Sequence, residues 1–463
     1  MSSTDLSPNL PIELSRERAG VLRFWLPLVL FGVVLFTAQH DLNYASASFD
    51  GGGRSPDLVS DISGGSVARQ TAFVSLGLAG AVLLLLPTQI PLAIHGRLLI
   101  LFALLVGWVL MSAVWADDFG HSFKQSMVPL LAAIGAMGLA RHCRPREVCL
   151  FLAWLSGAFL ALGVFMEVSV DNFLVGLDYR FAGTLHPNNQ AVNCAVFVLA
   201  SIAMSRERSD HFGRSKSLFW LVLATLGLWF LYLTGSRTAL FSLAPALGVF
   251  FLLSSSRRKK WAVIGGLAAL ASIGAVLILE TDSRNTNLLV DLLRMGREQE
   301  TEDVISLTGR IPIWAEVLKD ISNRPLLGYG YGEFWTPDRV LDYSYIHDWM
   351  FDHAHSAYFE TLLGIGAVGL ALGLMLVLAA ASSAARGFQA TGDPGFRFIA
   401  AVLTMGLVHG FVDSNFVREG YESILAMICI STVVLHGRLA SESADSFSWA
   451  EFQSPNAWRA SYV

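Results

Sequence analysis

Three short strings in this chain of 463 residues gather side chains able to handle an anion and a hydroxyl. Leu233-Thr234-Gly235-Ser236-Arg237-Thr238-Ala239 puts an arginine directly after a Gly-Ser hinge between two apolar runs. A guanidinium there offers donors in a planar fork suited to phosphate oxygens, with a structural ion pair or a lipid headgroup as the competing use. Tyr179-Arg180-Phe181-Ala182-Gly183-Thr184-Leu185-His186-Pro187-Asn188-Asn189-Gln190 adds a second cation. Pro187 can start a helix whose first turns carry the amides of Asn188, Asn189, Gln190 and Asn193. Amides that deep in apolar sequence need partners from other helices, water or a substrate. The third string runs from His347 to Glu360 and places His355 and Glu360 at the start of another apolar run. An i,i+5 spacing gives those two only an approximate common face on a helix. An imidazole titrates near neutral pH, so His355 suits orienting or deprotonating a hydroxyl, and capping or interfacial contact is the plainer alternative.

Other chemistries find less support. Asp352, His353 and His355 invite a metal, but two histidines at i,i+2 inside a helix diverge and no separated third ligand is marked, so none is expected. Gly328-Tyr329-Gly330-Tyr331-Gly332 lacks the Lys-Ser/Thr ending of a phosphate-binding loop and follows no strand; its glycines suit tight turns. Cys143, Cys149, Cys194 and Cys429 lie in or beside apolar runs without ligand spacing and read as buried thiols. A net charge of −5 argues against a nucleic-acid partner. Glu167 and Glu280 read as markers of the membrane interface, while His409, Asp413, Arg418 and Glu419 flank the last external turn and either pair locally or line the same cavity.

The elements that must position these groups follow from hydropathy. The chain is 54% hydrophobic and 15% charged, against roughly 25% charged in a soluble domain. Apolar runs fall at about 21–38, 71–87, 98–116, 125–140, 148–170, 189–204, 218–234, 237–253, 261–279, 356–380, 397–412 and 421–437. About twelve helical spans of about 20 residues would use about 240 residues, roughly half the chain. Charge bias tests that count. With a cytoplasmic N-terminus, the inside segments carry Arg16, Arg18 and Arg23; Arg97; Arg141, Arg144 and Arg146; Arg206, Arg208, Arg214 and Lys216; Arg257 to Lys260; Arg386 and Arg397; and Arg438 and Arg459. Every inside connection is basic, which places both termini in the cytoplasm. The expected organisation is a cytoplasmic leader over 1–20, nine transmembrane helices over 21–280, a large periplasmic loop subdomain over 281–355, three helices over 356–437 and a cytoplasmic tail over 438–463. The loop of 75 residues holds 13 acids against 7 bases. Within it, Ile311, Ile313, Trp314, Val317, Leu318 and Ile321 predict an amphipathic helix over 311–323 that lies on the membrane or caps a cavity.

In this order the strings resemble the O-antigen ligase/polymerase superfamily. The resemblance rests on Arg180 to Thr184 with Pro187-Asn188, Gly235 to Ala239, Thr308-Gly309-Arg310 with Trp314, Arg324 to Gly330, and His355 to Glu360 with Gly364 and Gly369. It covers about 170 to 380; family members typically have His-Asn where this chain has His355-Ser356. In motif style it is most similar to bacterial exopolysaccharide polymerases. The resemblance implies an all-α, GT-C-like polytopic glycosyltransferase in the bacterial inner membrane, with its site facing the periplasm and no metal or nucleotide cofactor. Its donor would be a glycan on undecaprenyl diphosphate, and a flippase and a chain-length regulator are the protein partners. A polymerase would join repeat units for exopolysaccharide or O-antigen; a ligase would transfer the glycan to lipid A-core in lipopolysaccharide biosynthesis; a transporter of the lipid-linked glycan is the rival class. The catalytic expectation is His355, Arg237 and Glu360, with Arg180, Arg310, Asn188 and Arg237 binding substrate. The diphosphate gathers charge as its bond breaks, so arginines there would act most strongly in the transition state.

Overall fold

A computed structural model describes residues 32–34, 67–174, 179–206, 213–254, 310–347, 352–418 and 420–437. The leader, the tail, almost all of the first expected span, the ninth span at 261–279, residues 281–309, Glu280 and Glu419 lie outside them. Every element among the described residues is helical. The helices are α1 (Val67–Leu85), α2 (Gly96–Met111, extended by a tight turn at Ser112–Trp115), α3 (Phe119–His142), α4 (Pro145–Ser169), α5 (Pro187–Ser205) and α6 (Gly213–Leu233). They continue with α7 (Arg237–Ser254), α8 (Arg310–Asn323), α9 (Pro337–His347), α10 (Ala357–Thr391), α11 (Pro394–His409) and α12 (Tyr421–His436).

The apolar runs become these helices largely as expected. Among the described residues, 7 helices are long and apolar enough to cross a membrane: α1, α2 with its extension, α3, α4, α6, α7 and α10. Helices α11 and α12 are shorter apolar helices. The polar-ended run at 189–204 is α5, buried on every side from Ala191 to Ala200, which is why it tolerates so little lipid-facing sequence. The expectation of about twelve spans reaches beyond the described residues. Local chemistry sets the helix starts: Asp118 Oδ1 accepts from His121 N (3.0 Å) ahead of α3, and Asp393 Oδ1 accepts from Gly395 N (2.7 Å) ahead of α11. Helices α1 and α3 approach closely at Gly80, Gly135 and Gly138, where a Cβ on Gly80 would stand 2.4 Å from Gly135 Cα. One apolar core joins α3, α4, α5, α11 and α12, and all four cysteines are buried free thiols.

Residues 310–347 form a small helical unit with its own core. Of the six residues of the expected face of α8, Ile313, Val317 and Ile321 pack with Tyr329, Phe334, Trp335, Val340 and Tyr343, whereas Ile311 and Leu318 are exposed. Helix α9 within this unit was not expected, because its apolar positions are too few to show a period. The unit is fastened to a break in α10. Gly366 has φ +68 and interrupts the helix, so neighbouring backbone groups take partners from outside it. Tyr329 N donates to Leu363 O (2.7 Å), Gly330 N to Gly364 O (2.8 Å), and Ala367 N to Pro325 O (2.9 Å). Trp108 Nε1 and Trp115 Nε1 close the joint on Ile365 O and Leu327 O, each at 3.0 Å. The unit therefore sits at the end of the bundle where α2, α4, α6 and α11 finish. At the opposite end, Arg141, Arg144 and Arg146 surround the α3–α4 turn.

Candidate functional site

The Arg180 string is shaped by one buried acid. Glu167, in the last turn of α4, accepts from Ala182 N (2.8 Å) and Gly183 N (2.7 Å) on Oε1, and from the Tyr179 hydroxyl on Oε2. Gly183 adopts φ +64 and abuts Gly163, where a Cβ would stand 2.4 Å from Gly163 Cα. Phe181 N donates to Leu233 O (2.9 Å), which pairs this loop with the end of α6. Glu167 was expected only to mark the interface; instead it folds the loop that carries Arg180.

Arg180 is consequently laid against the hinge before Arg237. Its Nε donates to Thr234 O (2.9 Å) and one terminal nitrogen to Asn188 Oδ1 (3.1 Å). Asn188 thus steadies an arginine. Gly235, at φ +62, makes the turn that the hinge required and sets Arg237 at the N-terminus of α7. Arg310 begins α8 within electrostatic reach of both Arg237 and Asp413. Burial lowers the basicity of its guanidinium, Asp413 acts in the opposite sense, and Arg237 adds to the lowering.

His355 faces this cationic group from the start of α10. Its backbone has φ +50, a conformation that non-glycine residues rarely adopt. The next residues hold it there: Ala357 N donates to Gly410 O (2.8 Å) and Asp413 O (3.0 Å), and Tyr358 Oη to Leu407 O (2.6 Å). The His355 ring lies against His353, with centroids 3.9 Å apart. Burial, then His353, then Arg310 push its pKa far below that of an ordinary histidine, so its ring is neutral. His353 Nδ1 meets Asp352 Oδ1 at 2.7 Å, and Arg418 grips the same carboxylate with two donors, at 3.1 and 2.8 Å. Burial opposes ionisation of Asp352, yet Arg418 and His353 outweigh it and hold its carboxyl well below the usual carboxylate range. Arg418 therefore pairs across the site with Asp352, where a local partner was the simpler expectation.

Glu360 is held between two elements by its own hydrogen bonds. Its oxygens accept from Trp335 Nε1 (3.0 and 3.2 Å) and Oε2 from Ala354 N (2.9 Å), while Trp314 Nε1 donates to Ala354 O (2.9 Å). The carboxylate thus clamps the residue before His355 between α10 and the 310–347 unit. Sequence reasoning gave Glu167 only an interface role and missed Trp335 and the Asp352–Arg418 pair. A lone acid inside the α4 run was the available signal for the first; nothing local marked the others.

These observations define a multi-pass helical membrane protein with arginines and a neutral histidine gathered at one end of the bundle. Residues 221–374 match the O-antigen ligase family, as the sequence motifs implied. The matched region takes in Arg237, Arg310, His355 and Glu360 and begins after Arg180 and Asn188. No curated protein matches the chain in sequence.

Proposed function

We propose that the chain is a glycosyltransferase that polymerises undecaprenyl-diphosphate-linked oligosaccharide repeat units at the periplasmic face of the bacterial inner membrane. The observation that carries this reading is that Arg310 lies within electrostatic reach of both Arg237 and His355, the three coming from separate elements. The basic α3–α4 turn at the opposite end supports a cytoplasmic placement for that end, with both termini on the same side. A flippase would deliver the donor and a chain-length regulator would set polymer size.

In the proposed step the anomeric carbon loses its bond to the diphosphate oxygen and gains one to the acceptor hydroxyl oxygen. The hydroxyl proton passes to a ring nitrogen of His355, and undecaprenyl diphosphate leaves. Arg237 and Arg310, with Arg180 beside them, meet the charge growing on the leaving group. Because cations help keep His355 neutral, an anionic diphosphate beside Arg310 raises the basicity of the imidazole as the proton must be taken up. Asn188 and Glu360 act through Arg180 and the His355 backbone, as positioning residues.

Because the matched family is described as O-antigen ligase, transfer of the glycan to lipid A-core is the second reading. Arg237→Ala and His355→Ala, each inserted at normal levels, are expected to abolish long polymer while single repeats persist. Normal-length polymer from both variants would overturn the assignment. Long lipid-linked glycan accumulating in a deletion strain would identify a ligase.

A further inference from the structure

Behind the arginines lies a buried group that the proposed reaction does not use. His409 ends α11, Glu422 lies in the first turn of α12, and Asp413 sits in the turn between them. All three are buried, at 0%, 2% and 5% exposure respectively, and one ligand atom from each lies within 4.8 Å of the others. Among the described residues, neither ring nitrogen of His409 and neither carboxylate oxygen of Glu422 has a hydrogen bond of good geometry. The Asn415 side-chain amide is the donor beside Glu422, and its nitrogen is already directed to Asn189 Oδ1 at 2.7 Å. Asp413 Oδ1 accepts from Asn415 N at 2.9 Å, which leaves that carboxylate further lone pairs. Buried polar atoms without partners are rare in folded proteins, and a histidine and a glutamate left so beside a third buried ligand-type side chain call for a ligand.

We infer that His409, Asp413 and Glu422 bind one divalent transition-metal ion, with Zn2+ the best match to an imidazole and two carboxylates. The His409 Nδ1 to Glu422 Oε2 distance of 3.7 Å is too long for a hydrogen bond. Two ligands about 2.1 Å from a shared tetrahedral ion stand roughly 3.4 Å apart. A single shared proton would draw the pair to hydrogen-bond distance and still leave other atoms unsatisfied. Asp413 lies within electrostatic reach of Arg310, which in turn feels Arg237. A divalent ion held by the two carboxylates withdraws them as partners for the arginines, which leaves the guanidinium donors to an incoming anion. The ion fixes the α11–α12 turn, whose carbonyls at Gly410 and Asp413 hold Ala357, two residues beyond His355. This inference does not rest on glycosyl transfer and assigns the ion no step in it.

The test uses the full chain in detergent, stripped with chelator, freed of any affinity tag, and titrated with Zn2+ alone and separately with Co2+. Elemental analysis should find about one ion per chain, and Co2+ should give the visible bands of a low-symmetry site. Glu422→Gln and His409→Ala should weaken binding by more than about tenfold, while Asp352→Asn, at the neighbouring cluster, should not. Thermal unfolding reports whether each variant is folded. Should a variant fail to fold, the wild-type stoichiometry and Co2+ spectrum decide. Wild-type protein that takes up no stoichiometric ion, or folded variants that bind as wild type does, would overturn the inference.

Discussion

Replacing Glu167 by alanine should displace the loop that carries Arg180, and the size of the effect follows from what the carboxylate holds. Two backbone donors, Ala182 N and Gly183 N, end on one of its oxygens at 2.8 and 2.7 Å, and the Tyr179 hydroxyl ends on the other. The side chain is 1% exposed. A hydrogen bond to a charged acceptor contributes about 1.5–3 kcal/mol, so losing two backbone bonds alone predicts about 3–6 kcal/mol. The loop lies at the end of the bundle, and water entering the alanine cavity would satisfy part of this, so about 3 kcal/mol is expected. Arg180 donates to Thr234 O and Asn188 Oδ1 from this loop. Its misplacement should lower transfer by about 10- to 100-fold, equivalent to about 1.4–2.8 kcal/mol of transition-state stabilisation. Glu167→Gln retains an oxygen for both N–H groups and can donate to the tyrosine oxygen, so it should stay within about threefold of wild type. Thermal unfolding in detergent and the length distribution of glycan made in cells measure the two effects. A Glu167→Ala protein that is inserted normally, unfolds at the wild-type temperature and makes wild-type polymer would refute the reasoning.

Three further outcomes follow. Asp352→Asn and Arg418→Ala should each impair transfer and couple by about 1–3 kcal/mol in a double-mutant cycle of rate constants; Arg418→Lys should not rescue, because an ammonium cannot form the two-point grip. His355 has a folded pKa far below the ordinary value of about 6.5. Between the two values the unfolded chain binds the extra proton, so stability conferred by the neutral ring is full above pH about 6.5 and falls on acidification; denaturation followed against pH should show a steeper fall in wild type than in His355→Asn, the difference being this ring's share. For the same reason kcat/KM should show no acid limb near pH 6.5 from His355. Gly366→Ala should release the 310–347 unit, since its Cβ would stand 2.1 Å from Leu326 O at φ +68; limited proteolysis should cut within 324–336 well before it does in wild type.

Much of the frame was legible along the chain. Hydropathy marked α1 to α7 and α10 to α12, because a helix in lipid must be apolar over its own length and must satisfy its own backbone. The spacing of Ile313, Val317 and Ile321 revealed the buried face of α8, and the Gly235 hinge announced a turn before Arg237. Residue type also singled out Arg180, Arg237, Arg310 and His355, since a cation or imidazole amid apolar sequence is costly wherever it lies. What type and spacing left open was partnership. Glu167 looked like an interface acid until the fold brought two backbone N–H groups from 182 and 183 onto it. Glu360 took its partner Trp335 from the 310–347 unit, and Arg418 found Asp352 across the site. The break at Gly366 carries no periodic signal, and its backbone partners lie in the 325–330 segment of a different unit. Glu422 drew no attention on its own and matters only beside His409 and Asp413. Helix formation depends on neighbours within a turn or two, so local pattern reports it. Which charges meet depends on which helices pack together, and only the tertiary structure decides that.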